Sequence, residues 1–368
     1  MSTWPSETDP EKKRVPDAAS ESRLLEIRRE AESKGRVQTP GVRPEGAPFP
    51  RASSETGYYG IPLLKQPPWT WEIPLYFFVG GAAGASSVIG ALADWIGDDE
   101  KLASDARWVA VGGAGLSSAL LISDLGRPAR FLGMLRVFKL QSPMSMGAWT
   151  LAAFGSAAGA AVFATLLRQR YDSLPVRIVG QVSQGIAALF GLPLHNYTGV
   201  LIGATAIPVW NKNVKTLPVH FGMSGVQAGV SALELMGNEN AALNWLALLA
   251  AAFETWEGFT LESDSDPVLR PLKQGASGWV TRAGGLLSGP APMLLRLVAV
   301  FSSKSKGLRK LAACCGIAGS ILTRYGWLAA GRASAKDFRL PLDIKEKRPP
   351  QKPLPARMLD AVREEKHA

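Results

Sequence analysis

The chain has 368 residues, is 46% hydrophobic and carries a formal net charge of +10. It has two cysteines, Cys314 and Cys315. On a helix they point about 100° apart, so no iron–sulfur cluster is expected, because such a cluster needs four thiolates at set spacings. The basic excess sits in residues 303–357, with 13 Lys+Arg against 3 Asp+Glu, and resembles the flanks of membrane helices facing anionic lipid rather than a nucleic-acid module.

Residues 1–68 form a polar tail with few large apolar side chains, expected to be largely disordered, with one helix over "ASESRLLEIRREAESK". Its start, "MSTWPSETDPEKKRV", has no apolar run of the kind a cleavable signal needs. Residues 69–334 then alternate between polar links and apolar blocks near the ~20 residues that cross ~30 Å of hydrocarbon. The blocks are 71–95, 108–123, 146–167, 176–210, 217–237, 240–261, a short one at 291–301, and 311–331. Residues 335–368 are a basic, Pro-rich tail. The expected fold is all-α: a polytopic membrane helix bundle of about eight transmembrane helices, nine if the long block splits at Leu192–Pro193. Glycine pairs four apart, Gly80/Gly84, Gly155/Gly159, Gly199/Gly203 and Gly225/Gly229, predict close helix–helix packing.

Ionisable residues at membrane depth are costly and therefore functional candidates. Asp94, Glu234 and Arg296 are expected to reach the interface, and Arg324 lies in the last block. Glu254 and Glu257, three apart, share a helix face and read either as a proton path or as a solvated helix end. His195 and His220 lie near Pro193 and Pro218 and read as polar helix-end residues rather than paired haem ligands. Glu72 opens the first helix and Asp124 closes the second, so both fall on one membrane face. Trp71, Tyr76 and Arg127 are close by in sequence. Acidic, aromatic and cationic groups around one apolar wall suit an amphiphilic ring with two carbonyl oxygens.

Six stretches carry a family resemblance: "WEIPLYFFVGGAAGA", "DLGRPARFLGML", "SPMSMGAW", "YTGVLIGATAIPVWN", "LPVHFGMSG" and "LTRYGWLAAGRASAKD". In that order, over about residues 70–337, they resemble the NrfD/polysulfide reductase membrane-subunit family. The pairing of "DLGRP-x-RF" with "SPMS-x-GAW" is its most specific part.

The resemblance implies a quinone-reactive, multi-pass subunit of a bacterial inner (cell) membrane, carrying neither haem nor an iron–sulfur cluster of its own. It would exchange electrons between the menaquinone or ubiquinone pool and a ferredoxin-like iron–sulfur partner. Through that partner it would serve a molybdopterin or multihaem catalytic subunit. It also implies that the quinone head sits against Asp124 as proton acceptor, with Glu72 beside it. Arg127 would hold or orient the carboxylate, and Ser142 would offer its hydroxyl at the start of the third long helix. Relatives often carry a histidine where this chain has Glu72, so an acid replaces a switchable base. Two rival readings are a proton- or ion-translocating subunit using Glu254, Glu257 and Arg324, and a passive membrane anchor.

Overall fold

A computed structural model describes residues 64–125, 129–301 and 305–337, together with Glu26 and Arg29. Contacts divide the chain into Met1–Ile61 and Pro62–Ala368. In the first unit the described positions, Glu26 and Arg29, are helical and exposed. The rest of the 19–34 segment, Arg127 and the tail beyond Asp337 lie outside the described residues.

In the second unit every regular element among the described residues is a helix. In chain order these are α1 (Glu72–Trp95), α2 (Glu100–Asp124), α3 (Ala129–Met134), α4 (Pro143–Arg170), α5 (Leu174–Gly203), α6 (Pro208–Lys212), α7 (Leu217–Leu235), α8 (Ala241–Ser263), α9 (Arg270–Lys273), α10 (Gly275–Ser288), α11 (Pro290–Phe301) and α12 (Ser305–Lys336). The starts follow local chemistry. Asp99 caps α2 by accepting from Leu102 N at 3.0 Å, Ser142 caps α4, and Asn240 accepts from Ala242 N at 2.8 Å to cap α8. Proline occupies the first turn of α4 to α7, where a missing N–H costs nothing.

Among the described residues, five segments are long and apolar enough to cross a membrane: α1, α2, α4, α5 and the α10–α11 pair, Gly275–Phe301. The protein is a multi-pass membrane helix bundle. The helix α1 is central, packing on α2, α5 and α7, with 78% of its apolar window buried against 33–39% for the other four. Its neighbours reach it through small residues. A Cβ on Gly84 would meet the Gly191 carbonyl of α5 at 2.6 Å, and a Cβ on Gly229 of α7 would meet the Ala82 carbonyl at 3.0 Å. Gly159, predicted to be such a contact, has nothing within 4 Å.

Two readings of the sequence change. The long block does not split at Leu192–Pro193: α5 runs through Pro193, and the break comes instead at 204–207, before the short α6. Proline removes a single ladder hydrogen bond, and the remaining turns carry the helix past it. The short block at 291–301 is the second half of a discontinuous segment, broken at Gly289 between α10 and α11. A Cβ on Gly289 would meet Thr255 N of α8 at 2.9 Å, so the break is where two backbones pass closely.

Successive helices run back and forth between two faces. The first face holds the start of α1 and the ends of α2, α5, α8 and α12. Tyr325 Oη of α12 donates to Trp71 O there at 2.9 Å, and Lys212 pairs with Asp264 at 2.9 Å. The second face holds Asp105, Asn238 and Arg309, tied by Asn238 Nδ2 to Asp105 at 2.7 Å and Arg309 to Asn240 O at 3.3 Å.

Glu234 and Arg296, expected at the interface, are buried inside the protein, while Asp94 stays partly exposed at the end of α1. Arg296 is 0% exposed and grips Glu234 with both terminal nitrogens, at 2.8 and 2.5 Å, while Arg309 adds a third contact at 3.1 Å. Asp94 pairs with Arg107 at 2.7 Å, and the same guanidinium reaches Gln184 and Thr165. A planar guanidinium holding a carboxylate by two bonds is the arrangement that makes a buried pair tolerable.

Candidate functional site

The first face carries two polar clusters, one on each side of α12. The first is built where α1 begins and α2 ends. The Thr70 hydroxyl lies 3.2 Å from Asp124 Oδ1 and also contacts Glu72 Oε2. One hydroxyl proton cannot serve both carboxylates. Thr70 therefore bridges the two carboxylates, donating to one at a time.

Around this pair, Trp71 is 59% exposed and Tyr76, one turn deeper, is buried against Phe77 with ring centroids 5.6 Å apart. The Tyr197 hydroxyl of α5 donates to the Pro143 carbonyl at the start of α4, and its ring fills the space a side chain on Gly147 would need. Ser142 spends its hydroxyl on the backbone of Ser145, capping α4. The structure thus brings Glu72 and Asp124 together, places Trp71 and Tyr76 near the start of α1, and assigns Ser142 to its own helix end.

The second cluster lies where α7 begins and α8 ends. His220 Nδ1 is 2.5 Å from Glu257 Oε2 and 3.5 Å from Glu254 Oε1, within ion-pair range but outside hydrogen-bond alignment. Ser288, at the end of α10, donates to Glu254 Oε2 at 2.9 Å. Glu254 is only 2% exposed, so it is not a solvated helix end. These groups floor a cavity of ≈ 320 Å³, walled by Phe253, Trp256, Leu261 and Trp327 and rimmed by Asn213, Lys215 and Thr216. An aromatic series separates the clusters: Tyr76–Phe77, Phe77–Phe221 and Phe221–His220, with centroids 5.6, 6.3 and 5.8 Å apart.

Residues 63–242 match the family described as polysulphide reductase, NrfD. Over those residues, just under half of the sequence, the protein is similar to the NrfD family. A polysulfide reductase subunit of Wolinella succinogenes, the one lettered C, is 27% identical over 188 residues, which cover 46% of this sequence and 58% of the relative. The match thus spans little more than half the length of that curated relative.

The NrfD segment contains all of the first cluster except Tyr325. It takes in His220 and Glu234 but stops before Glu254, Glu257, Arg296 and Arg324. The second cluster therefore joins NrfD residues of α7 to helices beyond the match.

Sequence reasoning missed three participants. Thr70 sits in a polar lead-in with no motif to mark it. Tyr325 comes from the other end of the sequence. His220 looked like a helix end until α8 supplied its two carboxylates.

Proposed function

We propose that this protein is the quinol-reactive membrane subunit of a multisubunit reductase, and that the first cluster is where the quinone head binds. The observation that carries the reading is the Thr70 hydroxyl shared by Glu72 and Asp124 at the mouth of the bundle, beside an exposed indole and a buried phenol. Oxidising a quinol to a quinone releases two protons and two electrons. Two carboxylates sharing one hydroxyl provide acceptors for the protons. Asp124 takes the first, and Thr70 and Glu72 fix the orientation of its carboxylate. Trp71 and Tyr76 offer aromatic faces to the ring. Arg127, three residues beyond Asp124 in the sequence, supplies a cation to the site.

The electrons leave this subunit. The partner that takes them is an iron–sulfur protein docked on the first face, which passes them to a molybdopterin or multihaem subunit. The similarity to the Wolinella polysulfide reductase subunit supports membership in such a complex. The quinone is menaquinone or ubiquinone, and the membrane is the bacterial inner membrane. The same chemistry run backwards reduces a quinone.

Asp124→Asn tests the proposal, because it keeps the shape and removes the base. Quinol-dependent turnover of the assembled complex in membranes is expected to fall about 10²–10⁴-fold, as for loss of a general base. Normal turnover at normal subunit amounts overturns the role of Asp124.

A further inference from the structure

Helix α7 carries His220, Ser224, Gln227, Ser231 and Glu234, and all five are buried. Their spacing alternates four and three, which puts them on one face of the helix. The run covers roughly 21 Å at 1.5 Å per residue, most of the ~30 Å hydrocarbon core. It begins at the cavity floored by His220, Glu254 and Glu257 and ends at Glu234, where Arg309 reaches toward the second face.

The middle of the run is not explained by packing. Both amide atoms of Gln227 and the Ser231 hydroxyl are buried without a protein hydrogen-bond partner. In a membrane protein such groups are costly, and those that persist face a functional path. The facing residue on α12 is Gly316, where a Cβ would meet Gln227 Nε2 at 2.6 Å and Ser231 Oγ at 2.8 Å. The lack of a side chain there keeps the amide and hydroxyl clear.

One group interrupts the run. Arg324 of α12 is fully buried. Its Nη1 donates to Ser320 Oγ at 2.9 Å and Ser320 O at 3.1 Å and also to Ser224 Oγ, while Nη2 donates to Phe221 O at 3.0 Å. A fixed guanidinium repels an approaching proton, as arginines do in pores that exclude protons.

We propose that the polar face of α7 is a proton conduit from the first-face cavity to Glu234, and that Arg324 is its electrostatic valve. A proton enters through Glu257 and His220, is held between His220 and Glu254, and passes along Ser224, Gln227 and Ser231 to Glu234. Each step breaks one O–H or N–H bond and forms another, the amide of Gln227 orienting water rather than carrying the proton itself. No electrons move. The conduit does not depend on the quinol reading, since none of its residues belongs to the first cluster.

The test uses the purified full-length protein in liposomes with a trapped pH-sensitive dye and a potassium–valinomycin clamp, followed by an acid pulse. The wild type should be as tight as protein-free vesicles. Arg324→Gln should conduct protons at least tenfold faster, and Arg324→Gln/Gln227→Leu should return to the wild-type rate. If Arg324→Gln does not fold, Ser320→Asp sets a carboxylate against the guanidinium and should open the valve with Arg324 in place. A tight, monodisperse Arg324→Gln protein, or a tight Ser320→Asp protein, overturns the proposal. So does a leak that survives Gln227→Leu or lets the dye escape, since the protons would then be crossing elsewhere.

Discussion

The Thr70 hydroxyl and the Asp124 carboxylate meet at 3.2 Å although 54 positions separate them in the sequence. The contact exists because α1 leaves the first face where α2 returns to it. Thr70→Val keeps the volume and removes the hydroxyl. Losing a hydrogen bond to a charged group costs about 1.5–3 kcal/mol, so quinol turnover is expected to fall roughly ten- to hundredfold at normal assembly. Thr70→Ser should retain most activity. Equal activity in Thr70→Val and wild type, assayed in membranes with partner subunits, would remove Thr70 from the site.

The Glu234–Arg296 pair is buried, with both side chains almost wholly shielded from solvent. Removing one partner strands the other, so Glu234→Ala should destabilise the detergent-solubilised protein by about 3–5 kcal/mol. Glu234→Ala/Arg296→Met removes both charges and should recover much of that loss. Denaturant unfolding of wild type, both single variants and the double variant checks it. A double variant no better than the sum of the singles would show that the pair is not coupled.

Close packing can be separated from mere smallness. Gly84→Val drives a side chain into the Gly191 carbonyl and should cost about 1–3 kcal/mol or more. Gly159→Ala enters open space and should leave the melting temperature unchanged. Thermal scans in one detergent distinguish the two.

The link between α8 and α9 should respond to acid. The Asp264 carboxyl is held below its ordinary range, chiefly by the Lys212 hydrogen bond and then by the Asp266 N–H. A lowered folded-state pKa adds stability above the unfolded value, about 3.9, and that stability is lost as pH falls through the folded value. Asp264 is 43% exposed, so solvent screening keeps the gain below about 1 kcal/mol. Lys212→Met should therefore melt slightly lower than wild type at about pH 6, with the two curves converging below about pH 3. A gap that persists in acid would point to lost packing instead.

The placement of Glu72 and Asp124 on one face was legible because helix direction alternates, which needs only the order of the apolar blocks. The helical class was legible for the same reason. The discontinuous α10–α11 segment was not, because Gly289–Pro290 cuts its apolar run into pieces too short to register. The burial of Glu234 and Arg296 was hidden as well, since each depends on a partner on another helix. The α7 face was visible as spacing, but Ser224, Gln227 and Ser231 carry no charge and drew no weight. Their meaning comes from Gly316 and Arg324, which lie far along the sequence on α12.

Trp210 of α6 is completely buried, stacked on Trp69 with centroids 5.7 Å apart. Its indole nitrogen donates to Trp327 O of α12 at 2.8 Å, and its ring occupies the space above Gly331. The ribosome makes Trp210 117 residues before it makes that partner. During synthesis Trp210 therefore has Trp69 to stack on, while its indole N–H waits for the last helix to arrive. Tyr325 reaches the first cluster and Trp327 walls the cavity of the second in the same event. A nascent polypeptide halted after residue 242 would hold the whole NrfD segment with neither cluster finished.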